Sequence, residues 1–227
     1  MQRTFAGCVA TAMLVALVGC GSSSSGGSTV ALTDFASESA KATCARIYKC
    51  CDATERMGDS TWGATEMECV TMQTPVVATG VATLQAGVDA GKITYHGDRA
   101  SKCLANIKAL SCDWGITFNR RYVPDCLHVF DGTVANGTAC SMDEECMSGF
   151  CSPTGCAARA KAGDACTAPT GCEDGLYCPV SAGDHCLAAK ALGEACEVST
   201  SCQNNSCVIP DGQTAGTCGA PMMCNGQ

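Results

Sequence analysis

Apolar side chains recur at helical spacing through the first half of the chain. Val77, Val81, Leu84 and Val88 fall four, three and four residues apart, which lines one face of an α-helix. Cys103 or Leu104, Ile107 and Leu110 continue the period in a second helix, with Asp98 as its candidate cap and the stretch "DAGKITYHG" as the linking turn. Cys44, Tyr48 and Cys51 share a stripe of an earlier helix that begins near Ser37. On that helix Cys44 and Cys51 would lie about 10.5 Å apart, beyond the roughly 7 Å that a disulfide spans between Cα atoms, so each must reach another element. The pattern predicts a small all-α domain over 35–135, a bundle of three or four short helices cross-stapled by Cys69, Cys103, Cys112 and Cys126.

Beyond residue 130 the helical period stops. Residues 131–227 hold only nine Leu, Ile, Val or Phe, and three Lys/Arg against eleven Asp/Glu. Such a tail cannot bury enough apolar surface to offset its chain entropy. Its 13 cysteines take the place of the missing core. The segments "GTACSMDEECMSGFCSPTGC", "GDACTAPTGCEDGLYCPVSAGDHC" and "GEACEVSTSCQNNSCVIPDGQTAGTC" share a Gly-x-Ala-Cys start and a five-residue gap to the second cysteine. This agreement predicts three tandem, loop-dominated modules over 136–227, about 137–162, 163–192 and 193–227. Each is smaller than the ~40 residues below which a domain needs covalent help.

The N-terminus carries a different apolar pattern. One positive side chain, Arg3, precedes an uncharged and mostly apolar run from Phe5 to Val18, too short for the ~20 residues that span a bilayer. A basic head, a short apolar middle and small residues before a cut site predict a signal peptide over 1–19. Leu17, Val18, Gly19 and Cys20 resemble the lipobox of bacterial lipoproteins. That resemblance implies a lipidated Cys20, and Gly21 after it implies the outer membrane, on its periplasmic face or at the cell surface. The Gly/Ser run that follows, within a segment 20–34, is a tether whose eight residues reach roughly 15 Å.

With Cys8 removed and Cys20 acylated, 20 of the 22 cysteines remain. An even, dense set in an exported chain predicts disulfides. The set is Cys44, Cys50, Cys51, Cys69, Cys103, Cys112, Cys126, Cys140, Cys146, Cys151, Cys156, Cys166, Cys172, Cys178, Cys186, Cys196, Cys202, Cys207, Cys218 and Cys224. Zinc is disfavoured, because paired CxxC or CxxH knuckles are absent. Closing every bridge inside a Gly-x-Ala-Cys unit leaves seven cysteines in the N-terminal half and strands Cys224. A frame shifted by one gives groups of four, Cys146 to Cys166, Cys172 to Cys196 and Cys202 to Cys224, with eight left in Cys44 through Cys140. Parity therefore predicts at least one bridge across each module boundary, with exact partners open.

The modules, chiefly Gly163 to Cys186 with "GLYC" at Gly175 to Cys178, and Gly149-Phe150-Cys151, resemble the Dickkopf N-terminal-like cysteine-rich repeats of myxobacterial-type surface lipoproteins. The third departs from them, with Asn205 and Ser206 before Cys207. "CARIYKCC", "GKITYHGDRASKCLANIKALSC" and "CLHVFDGTVANGTAC" likewise resemble the helical domain of those lipoproteins. The resemblance implies the cysteine framework and a loop-rich shape, and the family has no assigned activity to carry over.

Catalytic motifs are missing. No GxSxG elbow or HExxH helix occurs. His96 reads as a surface residue, His128 as packed beside Cys126, His185 as a module loop residue, and Cys50 and Cys51 as two separate structural bridges. No cofactor is called for. The acidic runs Asp143, Glu144, Glu145 and Glu173, Asp174 lack EF-hand spacing and read as solvated faces, with calcium the one candidate ion. A net charge of −8 and the absence of a basic stripe argue against nucleic acid. The expectation is a non-enzymatic, lipid-anchored envelope protein that displays rigid loops to a protein or glycan; the alternatives are a protease inhibitor and an enzyme housed in the helical domain.

Overall fold

The computed structural model of the protein describes residues 28–57, 62–112, 123, 125–179 and 184–219. The expected signal segment, Cys20, nearly all of the expected tether, and Cys224 lie outside the described residues. Within them a helical region is followed by small strand-containing modules rich in disulfides.

Helix α1 (Phe35–Cys50) buries Phe35, Ser39, Ala42 and Arg46 on one stripe, with Ala36, Ala40, Cys44 and Ile47 beside it. After the short α2 (Ala53–Met57) comes α3 (Glu66–Asp89). Thr65 caps it by accepting the Glu68 N–H at 3.2 Å, while the Glu68 carboxylate accepts the Ala64 N–H at 2.7 Å. This is the reciprocal logic of a capping box, shifted by one residue. The predicted stripe at Val77, Val81, Leu84 and Val88 lies on this helix, which runs longer than the periodicity showed and continues through Pro75. In α4 (Gly97–Ala109), Ala100, Cys103, Leu104 and Ile107 face inward. Its N-cap is His96 rather than Asp98, which sits in the first turn; there its charge still favours the helix dipole.

The all-α expectation is corrected at one point, and the expected placing of His128 at another. "DAGKITYHG" is more than a turn, because it contains β1 (Ile93–Tyr95), which pairs antiparallel with β2 (Phe130–Gly132). The β-branched and aromatic Ile-Thr-Tyr suits a strand. Its partner lies 35 or more residues away, so no local pattern announced it. His128, expected to pack beside Cys126, is instead 63% exposed on its side chain.

The core joins Phe35 and Ala42 of α1 to Ala100, Leu104 and Ile107 of α4, with Val129. Phe35, Tyr95 and Phe130 add an aromatic trio with ring centroids 5.1–5.9 Å apart, a favourable range for edge and tilted packing. Three bridges staple it: Cys44–Cys69 ties α1 to α3, Cys50–Cys112 ties α1 to the end of α4, and Cys103–Cys126 ties α4 to the approach to β2. Cys51 is disulfide-bonded as well. Beside Cys50–Cys112, the buried Arg46 donates to the Ser111 carbonyl at 3.1 Å, and burial lowers its pKa.

The tail is three copies of one unit. Its first and third cysteines pair, as do its second and fourth: Cys140–Cys151 with Cys146–Cys156, Cys166–Cys178 with Cys172–Cys186, and Cys196–Cys207 with Cys202–Cys218. This overturns the shifted frame. These six bridges cross no module boundary, and Cys140 belongs to the first module rather than to the helical domain. The reason lies in the backbone. The N–H groups of Gly137, Gly163 and Gly193 donate to the carbonyls of Cys156, Cys186 and Cys218, so each unit closes on its own fourth cysteine. Those three glycines have φ of 85, 84 and 87°, at the third position of a tight turn where a positive φ favours glycine. The motif glycine is therefore a backbone requirement. Short antiparallel strands complete each unit: β3 (Cys151–Ser152) with β4 (Gly155–Cys156), β5 (Leu176–Tyr177) with β6 (Leu187–Ala188), and in the third unit β9 (Gly216–Cys218) between β7 (Ala195–Cys196) and β8 (Cys207–Val208).

Candidate functional site

Two features bring polar chemistry together, and both lie where the helical region meets the first module. The first is Asp131. Its Oδ2 accepts from Arg99 Nη1 at 3.0 Å and lies 3.1 Å from His96 Nε2, while Oδ1 lies 2.8 Å from His128 Nδ1. The secondary structure sets this up: Asp131 is the centre of β2, His96 is the N-cap of α4, and Arg99 follows in its first turn. Arg99 also donates to the His128 carbonyl, and the His96 N–H to the Val129 carbonyl. Two of the three histidines thus converge on one carboxylate. No hydroxyl or thiol among the described residues is bonded to either ring, so the arrangement holds an ion-pair cluster without a nucleophile beside it.

The second feature is a cleft of about 910 Å³ between α3 and the first module. Val76, Val77, Val81 and Leu84 of α3 form one wall, Met142 and Met147 of the module the other, and Phe35 and Phe130 are also among the lining residues. Both ends of α3 are fixed. Cys69 is bridged to Cys44, and Gly87 packs so closely on β1 that a Cβ there would meet Ile93 Cδ1 at 2.5 Å. The opposite wall is equally well held. Lys92 Nζ pairs with Glu145 at 3.1 Å, Glu145 also accepts the Ser141 N–H at 2.9 Å, and Val134 exchanges backbone bonds with Glu145 and Met147. Gly132 lies against the Cys146 backbone with no room for a Cβ. The Ser141 amide first, and Lys92 with it, hold the buried Glu145 carboxyl below the usual carboxylate range despite its burial.

Three carboxylates of the acidic runs are engaged within the protein. Glu145 is turned inward on Lys92, Asp143 accepts the Cys151 N–H at 2.7 Å, and Asp174 pairs with Arg159 at 2.6 Å. His185 sits in the second module, where it bridges Ala165. Groups of three cysteine sulfurs within 4.8 Å of one another occur in every module. Each is accounted for by the interleaved bridges, whose sulfurs carry no thiolate for a metal. Sequence reasoning missed Asp131, Arg99 and the cleft. The one available sign was that no charged residue stands between Glu68 and Asp89, although only Cys69 and Gly87 of that helix are buried.

No helix among the described residues is long and apolar enough to cross a membrane. Comparison with known proteins adds no relative: no family model, no curated protein and no solved structure matches the chain.

Proposed function

We propose that the protein is an exported, lipid-anchored, cysteine-rich protein of the bacterial outer envelope that acts by binding a partner and not by catalysis. The reading of its place rests on the apolar N-terminal run, Cys20 and the Gly/Ser tether. The reading of its role rests chiefly on one observation: among the described residues of all three modules the buried apolar side chains are cysteines, and every one is locked in a bridge. Such units hold loops in fixed shapes and present few groups able to move protons, which suits recognition.

Two measurements test this. Intact mass with and without reduction should give an acylated N-terminus at Cys20 and no free thiol. Cross-linking in envelope preparations should capture a partner; free thiols, or an unacylated chain beginning at Met1, would remove the basis of the proposal. A hydrolytic reading draws on His96 and His128 beside Asp131. It requires turnover of an ester or amide substrate that disappears in Asp131→Asn.

A further inference from the structure

We propose that the cleft between α3 and the first module docks a segment of another protein that presents apolar side chains flanked by lysine or arginine. This rests on the interaction-protein reading above and gives it a site and a partner chemistry.

The walls are fixed on both sides, so the cleft is a standing feature of the fold. Its apolar surface is open to solvent: Val76 is 65% and Met147 69% exposed, on opposite walls. Methionine beside valine adapts to varied apolar side chains. The rim is acidic. Asp131, Asp143, Glu144 and Asp174 line the cleft against Arg159 as its one Lys or Arg. Arg99 and Arg159 engage Asp131 and Asp174, whereas Asp143 and Glu144 have no ion-pair partner among the described residues. An apolar floor with two uncompensated carboxylates matches an amphipathic cationic segment, because opposite potentials steer encounter and like charges resist it. Charge also argues against the other occupants. A second copy would bring another net −8, and an anionic lipid surface would repel the rim.

The test uses the oxidised full chain and a fluorescent amphipathic Leu/Lys peptide, read by anisotropy at low and high salt. Leu/Glu and Ser/Lys peptides of the same pattern are the comparisons. The Leu/Lys peptide is expected to bind alone, more weakly at high salt. Val76→Asp, Met147→Asp and Glu144→Lys should each weaken binding about five-fold or more, as a lost rim charge or apolar contact does. Glu197→Lys makes the same charge change on the exposed surface of the third module and should bind like the unaltered protein. Exchange protection should appear at 76–84 and 142–147. Equal effects of Glu144→Lys and Glu197→Lys would reduce the binding to general charge attraction and overturn the proposal. So would wild-type binding in the wall variants, protection that appears only with concentration-dependent self-association, or preferential binding to anionic vesicles. A cross-linked partner mapped to the second or third module, with the cleft indifferent to the peptide, would overturn the docking site while leaving the broader function standing.

Discussion

If disulfide sulfur is the core of each module, removing one bridge must open that module and leave the helical region intact. The second module offers the clearest case. Among its described residues the fully buried apolar ones are Cys172, Cys178 and Cys186, flanked by the partly buried Ala160, Cys166 and Leu176. In a Cys172→Ala/Cys186→Ala double variant the number of cysteines stays even, so no lone thiol is created to scramble the rest. The lost bridge joins residues 14 apart, and the chain-entropy relation gives about 3 kcal/mol for a loop of that length. Two buried sulfurs, counted as methylenes, add about 0.8 kcal/mol each. A loss of roughly 4.5 kcal/mol corresponds to about two thousand-fold in the opening equilibrium. Hydrogen exchange measures this directly. The Gly163, Cys166 and Cys186 amides, which donate to the Cys186, Asp184 and Asp164 carbonyls, should lose nearly all protection. Amides of α4, backed by Phe35, Leu104 and Ile107, should keep theirs. Protection of the second module within a few-fold of the parent protein would refute the claim that sulfur stands in for an apolar interior.

Other outcomes follow from single groups. Gly163→Ala places a Cβ at φ 84° and should cost that module about 1–2 kcal/mol, seen as earlier proteolysis within 163–186 and not within α1 or α4. Glu145→Gln should loosen the first module from the helical region. Because the folded-state pKa of Glu145 is depressed, its stabilisation is present above the ordinary carboxylate range and fades as pH falls through and below it; protection of the Val134 and Met147 amides should therefore drop with acid in the parent protein and vary little with pH in the variant. Tyr95 is the opposite case. Burial first, and the charge of Asp34 second, push its pKa up to about 12, so its contribution is whole below about 10, the unfolded value, and is lost as pH rises from there through the folded value. Tyr95→Phe should flatten that alkaline limb of the unfolding curve and, by removing the bond to the Val30 carbonyl at 2.9 Å, cost about 1 kcal/mol near neutrality.

What could be read from the sequence was what local spacing records. The α3 stripe and the inward face of α4 follow from a period that each helix writes into its own residues, and the module count follows from the repeated Gly-x-Ala-Cys start. The pairing of β1 with β2, the turning of His128 out to Asp131, and the cleft depend on segments far apart in the chain. Cysteine parity misled for a related reason: it counts sulfurs without the backbone bonds that close each unit. Asn205 shows how geometry explains an apparent exception. The third module has asparagine where the others carry Gly149 and Gly175, and all three adopt positive φ, at 56, 66 and 82°. Asparagine is among the few side-chain-bearing residues that enter this region readily, so the departure in sequence preserves the turn.

The backbone also makes each unit overlap its predecessor. Val134, Ala160 and Lys190 form single parallel bridges to Cys146, Cys172 and Cys202, and each stands twelve positions before the cysteine it meets. In every case the bridging residue precedes the motif glycine. For the second and third modules it lies in the segment that follows the previous module's fourth cysteine; for the first it lies just beyond β2. One rule of construction therefore serves two purposes. It stacks module on module, and at the first step it clamps the module to the helical region through Val134, two residues from the strand that holds Asp131. The cleft is the space that this first step leaves beneath α3. A change that frees Val134 from Cys146 should accordingly alter the cleft more than any change within the third module, even though the third carries the same bridges and the same turn.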